Sequence, residues 1–150
     1  MNQIEVNIKN EQNIFKIDVN KLKKITCYVL EKEGVHNTEV SILLTNDAKI
    51  RDLNRQYRNE DEATDVLAFP QGKSKEEVLN SKLLGDVVIS VERAKIQADK
   101  FNQPILKEIY LYLIHGLLHL LGYKDERKDD YQKINKRQRE LLNKIWKEEN

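Results

Sequence analysis

The chain is predicted to fold as one α+β domain over residues 1–150: a mixed sheet of about four strands, helices packed on it, and one helix central and buried. Three observations predict this. Strand-like and helix-like segments follow one another without an internal repeat or low-complexity tract. At 150 residues and 39% hydrophobic content, the chain can build one core but is too short for two. One segment that opens after Pro104 is apolar on nearly every side (Ile105, Ile109, Tyr110, Tyr112, Leu113, Leu117, Leu118, Leu121), the mark of a helix covered by other elements.

Each element has its own signal. Ile4, Val6 and Ile8 alternate with polar residues, as in a half-buried strand. Asp18 is placed to cap a helix running to about Glu33, with Leu22, Ile25, Val29 and Leu30 inward and Gly34 as the stop. Val40 to Leu44 reads as a second strand, and Asn46 or Asp47 caps a helix carrying Ile50, Leu53 and Tyr57. A charged loop from Arg58 to Ala63 leads into Thr64-Asp65-Val66-Leu67-Ala68-Phe69, which ends at Pro70. Residues 71–82 are polar and are expected to form a mobile connection. Gly85 to Ser90 reads as a strand running directly into a helix from Val91 to about Asn102. Pro104 opens the apolar helix, in keeping with proline's tolerance in a first helical turn. The last helix, about Asp129 to Lys147, turns Ile134, Leu141, Leu142, Ile145 and Trp146 inward.

Composition removes several classes of function. A formal charge of +1 provides no bulk attraction for nucleic acid, so RNA binding would need a local basic patch. The lone Cys27 excludes an internal disulfide framework and a multi-cysteine zinc site, and suits a reducing compartment. The polar N-terminus lacks a signal-peptide core. The longest apolar run, about Ile109 to Tyr123, is shorter than the roughly 20 residues of a membrane span. A cytoplasmic protein without membrane contact is expected.

The chemistry concentrates in the apolar helix. His115 and His119 are two of three histidines in the chain, and at i and i+4 on a helix both rings can face one ion. Gly122 can end the helix in a left-handed turn and swing Asp125 back towards them. Two histidines and a carboxylate with a position left open suit a catalytic zinc site. A hydrogen-bonded core histidine is the commoner fate of a lone histidine on such a helix. Two buried imidazoles on one face, however, each cost about 1–3 kcal/mol if left unsatisfied. The spacing also invites comparison with metzincin peptidases, whose motif is His-Glu-x-x-His-x-x-Gly-x-x-His. Their general base is the glutamate after the first histidine, and this chain has Gly116 there, which argues against that peptidase mechanism.

Three segments together resemble the YbeY-like proteins, metal-dependent endoribonucleases of rRNA maturation. They are His115 to Asp125; Leu53-Asn54-Arg55-Gln56-Tyr57-Arg58 through Asp61, Thr64 and Asp65 to Phe69-Pro70; and Leu84-Gly85-Asp86-Val87. Order and spacing agree over about residues 1–148. The resemblance implies a zincin-like fold, one divalent ion with zinc as first choice, an rRNA precursor as substrate, and ribosome-assembly partners such as a small-subunit ribosomal protein and an assembly GTPase. It implies metal ligation by His115, His119 and Asp125, with Glu126 as the alternative to Asp125. The family's usual third ligand is a histidine and Lys124 stands where it has an aspartate. Asp125 is a legitimate zinc ligand, although a harder one that shifts preference towards ions such as manganese.

The resemblance also singles out Arg58 to stabilise phosphate charge beside the catalytic His115 centre, where an ion would act as Lewis acid. Without it, an exposed arginine at a helix end is the plainer reading. Thr64, Asp65 and Asp86 are expected to support the site from the sheet through hydrogen bonds. Lys49, Arg51, Arg55 and Arg58, opposed only by Asp52, are either a track for an RNA backbone or a solvated helix face. The rival functions are a metal-dependent hydrolase of another substrate, such as a weak peptidase, and a non-catalytic assembly factor with a structural ion.

Overall fold

The computed structural model describes residues 3–71 and 82–149, so the expected connection at 71–82 lies almost wholly outside the described residues. The strands are β1 (Gln3–Asn10), β2 (Asn37–Thr45), β3 (Val66–Pro70) and β4 (Leu83–Ser90). They form one sheet in the order β1-β2-β4-β3, with β1, β2 and β4 parallel and β3 antiparallel to β4 at the edge. The helices are α1 (Val19–Lys32), α2 (Asp47–Arg58), α3 (Val91–Lys100), α4 (Ile105–Leu120) and α5 (Lys128–Glu149). The mixed α+β architecture with a central histidine-bearing helix is the one the sequence predicts.

Strand alternation divides the molecule into two unequal layers. Val6, Val40, Ile42, Leu44, Ala68, Val87 and Ile89 point to one face and join α1, α4 and α5 in the main core. Leu43, Leu67, Phe69 and Val88 point the other way, where Ile50 and Leu53 of α2 form a smaller cluster with them. In α4, Ile109, Leu113, Ile114, Leu117 and Leu118 are fully buried, as a helix apolar on all sides requires.

Local signals set the ends. The side chain of Asp18 accepts from the backbone N–H groups of Asn20 and Lys21, and that of Asn46 from Lys49, so Asn46 rather than Asp47 caps α2. Ser90, last in β4, caps α3 through the N–H of Arg93, which is how strand passes to helix without a loop. Pro104 stands at the N-cap of α4, just outside the first turn, with φ −62° and ψ 137°. Tyr57 is 67% exposed rather than inward, resting edge-on against Phe69 at 5.7 Å. Among the described residues no helix is long and apolar enough to cross a membrane.

Candidate metal centre

The centre forms where α4 stops. Tyr123 N–H bonds to the Leu118 carbonyl and Gly122 N–H to the His119 carbonyl, both at 3.0 Å, while Gly122 adopts φ +99°. This pair of bonds is the Schellman arrangement, and it needs a residue comfortable in the left-handed region at Gly122. The chain thereby reverses, and residues 123–127 return across the last turn of α4 before α5 begins.

The return delivers Asp125 to the histidines. His115 Nε2 and His119 Nε2 lie 3.0 Å apart. Asp125 Oδ2 is 3.4 Å from the second and 4.0 Å from the first. These three donors, which all fall within 4.8 Å of one another, form a group that can hold a metal ion. The corners of a tetrahedron with bonds of about 2.0–2.1 Å lie about 3.3 Å apart, so the observed separations suit one small divalent ion. Glu126 lines the same cleft but is outside this group, which favours Asp125 as third ligand.

Both rings are held from behind. The Nδ1 of His115 is 2.7 Å from Gln138 Oε1 on α5, and His119 hydrogen-bonds to the Tyr123 backbone. Burial, and then the adjacent His115 ring, hold the His119 pKa below its ordinary value; Asp125 and the Tyr123 backbone oppose this, and Arg58 adds to it. The outcome favours neutral imidazole, the form that ligates a metal.

The donors open into a cleft of about 390 Å³ whose lining includes Asn54, Arg58, Thr64, Asp65 and Gly116. Arg58 donates to the Ala68 carbonyl at 2.9 Å on the outer edge of β3 and lies 5.7 Å from the centre of the Phe69 ring. The other arginines of α2 are engaged elsewhere: Arg51 with Asp61 at 2.8 Å and Arg55 with Asp52 at 2.5 Å. Of the two readings of the basic residues on α2, pairing of Arg51 and Arg55 favours the solvated face over an RNA track, because Asp61 folds back from the following loop. Among the described residues Arg58 is the arginine of α2 without a carboxylate partner, and it faces the cleft.

The structure brings Thr64 and Asp65 into the cleft, where Asp65 accepts from Thr64 Oγ1 at 3.3 Å and from Val66 N–H at 2.8 Å. Asp86 is not brought there. It shares parity with Val88, so it projects from the opposite face of the sheet, beside Ser41, Leu43 and Phe69. The LGDV segment contains the signal for this, since neighbouring strand residues alternate faces.

Gln138 and Asn54 were not anticipated. Gln138 interrupts the inward stripe of Ile134, Leu141, Leu142 and Ile145, and a polar residue in such a stripe marks a polar partner opposite. Asn54 is 2% exposed, and its Nδ2 donates to the Glu62 carbonyl, which braces the loop between Arg58 and Thr64. Gly116 sits where a Cβ would come within 2.6 Å of Val87 Cγ1, so α4 lies against β4 at the position that bears the base in metzincins.

A helix-borne histidine pair with a carboxylate from the turn, open to a cleft that an arginine also lines, is an arrangement that suits a metal-dependent hydrolase. Comparison with known proteins narrows the class. The family model described as endoribonuclease YbeY matches residues 7–146. Similar proteins named endoribonuclease YbeY include one from Syntrophotalea carbinolica, 35% identical over 95% of this chain and 97% of its own. Another, from a Sulfurihydrogenibium strain, is 43% identical over 75% of this chain and 73% of its own. A solution structure of a Thermotoga maritima protein is similar with a TM-score of 0.66 and 25% identity, over 95% of this chain and 90% of that one. The chain belongs to the endoribonuclease YbeY family.

Proposed function

We propose that this protein is a metal-dependent endoribonuclease that cuts single-stranded rRNA precursors during ribosome maturation. The observation that carries the reading is the convergence of His115 Nε2, His119 Nε2 and Asp125 Oδ2 in a cleft that Arg58 also lines. The relatives' shared name supports RNA as the substrate. His115, His119 and Asp125 hold one divalent ion, zinc first and manganese second. A bound ion supplies Lewis acidity towards a phosphate oxygen and lowers the pKa of water.

The remaining roles belong to the chain. Arg58, steadied by the Ala68 carbonyl and Phe69, offers its unused N–H groups to the charge that builds on the phosphate oxygens. Thr64 and Asp65 line the same cleft as the histidines, and Asn54 keeps the intervening loop in place. Gly116 provides no proton acceptor and packs against Val87, which disfavours a peptidase acting through a helical glutamate. The protein works in the cytoplasm with ribosome-assembly partners, a small-subunit ribosomal protein and an assembly GTPase among them.

The test is cleavage of single-stranded RNA and of casein by the purified protein, with and without chelator. RNA should be cut and casein spared, and chelator or His115→Ala should stop the reaction. Arg58→Ala should lower the rate by about 10²–10³-fold with metal content unchanged. RNA cleavage that survives His115→Ala would assign the activity to a contaminant and sink the reading.

A further inference from the structure

We propose that Gln138 is a positioning residue that locks His115 in its Nδ1–H tautomer and so presents a bare Nε2 to the metal centre. The inference rests on the reading of His115 as a ligand, and it adds a control on that ligand from a separate helix.

A neutral imidazole has one N–H, and whichever nitrogen bears it cannot ligate. Gln138 has one oxygen and one NH₂ group, and what the NH₂ group does decides what His115 meets. Gln138 Nε2 donates to Asn135 Oδ1 at 2.8 Å, one turn earlier on α5. That bond turns Gln138 Oε1 towards His115, 2.7 Å from Nδ1. Reversing the Gln138 amide alone would set Gln138 Oε1 against Asn135 Oδ1, two acceptors at bonding distance, so Gln138 can turn over only together with Asn135. With the amides oriented as in the structure, Oε1 accepts from Nδ1, the proton resides there, and the lone pair is left on Nε2. That Nε2 is the atom 3.0 Å from His119 Nε2 and 4.0 Å from Asp125 Oδ2; with His119 bonded to the Tyr123 backbone through its other nitrogen, two lone pairs face each other there, an arrangement that a cation between them would satisfy.

The two ligand rings are thus held by different parts of the fold. His119 is held by the backbone of its own turn, which any sequence able to make the turn provides. His115 is held by a side chain 23 residues further on, so its orientation depends on how α5 docks. Gln138 is partly buried and touches the ring from behind, remote from the face that meets substrate.

Two measurements on the purified full chain test this. In the metal-free protein, ¹⁵N NMR of the histidine side chains should show His115 as the Nδ1–H tautomer. Gln138→Leu should shift it towards Nε2–H, while Gln138→Glu, which keeps an acceptor, should retain Nδ1–H. Zinc titration against a competing chelator should find binding about 10–100-fold weaker in Gln138→Leu, with Gln138→Glu recovering most of the loss. If Gln138→Leu does not fold, Asn135→Leu carries the test: it leaves Gln138 in place but frees its amide, so part of the same tautomer shift should follow. An unchanged tautomer and unchanged zinc affinity in the folded variants would overturn the proposal. Failure of the native chain to bind zinc, with the tautomer still dependent on Gln138, would instead overturn the metal reading and leave the hold on His115 standing.

Discussion

Asp125 shows how much one exposed side chain can decide. Its side chain is 46% accessible, and its Oδ2 lies 3.4 Å from His119 Nε2 and 4.0 Å from His115 Nε2. Asp125→Ala should weaken zinc binding by more than the roughly 10–100-fold that loss of an outer hydrogen bond costs, whereas Glu126→Ala should leave it unchanged. Chelator-competition titration separates the two carboxylates. His119 contributes a pH dependence of its own. Its pKa is held below the ordinary 6.5 by burial and by His115, so the unfolded chain takes up this proton at a higher pH than the folded one. In metal-free protein its stabilising contribution is complete above about pH 6.5 and shrinks as pH falls through the lower, folded value. Thermal melts should therefore show Tm dropping between about pH 7.5 and about pH 5.5, with a smaller drop in His119→Gln.

Among the elements, α4 depends most on close approach. Val87 Cγ1 would lie 2.6 Å, and Val66 Cγ2 3.2 Å, from a Cβ at residue 116, and β-branched valines on a packed sheet have little room to turn away. Gly116→Ala should gain about 1 kcal/mol of helix propensity and lose about 1–3 kcal/mol to overpacking. The expected result is a net loss in urea unfolding, part of which Gly116→Ala/Val87→Ala recovers by opening space opposite. Unchanged stability in the single variant would mean that α4 can slide on the sheet, and the site with it. At α5 the docking is polar as well as apolar: Arg137 Nε donates to Glu33 Oε1 at 2.7 Å, and the Tyr123 hydroxyl reaches the same carboxylate at 3.3 Å. This contact joins α1, the metal-site turn and α5 at one point. It gives the turn a fixed position against both helices.

For the whole molecule, an ion at the centre ties α4, the reversing turn and, through Gln138, α5 into one unit. A ligand that binds only the folded state stabilises it by mass action. Zinc at about a hundred times its Kd should add about 2.7 kcal/mol, or roughly 5–10 °C in Tm for a chain of this length. Differential scanning calorimetry with and without chelator would read this shift, which should vanish in His115→Ala. Equal melting temperatures in the native chain with and without zinc would rule out such a coupling.

Strands, helices, caps and the histidine pair were legible in the residues because each depends on periodicity and local hydrogen bonding, both written in neighbouring positions. Asp18, Asn46 and Gly122 act within a few residues of themselves, and the stretch from His115 to Asp125 closes its own turn. What local pattern could not decide was which distant groups meet. The neutralising of Arg51 follows from a loop that brings Asp61 back. Gln138 reaches His115 only because α5 packs against α4. Contacts between residues far apart in the chain arise from burial of apolar surface, which is non-directional; only the packed fold selects the polar groups brought together with it.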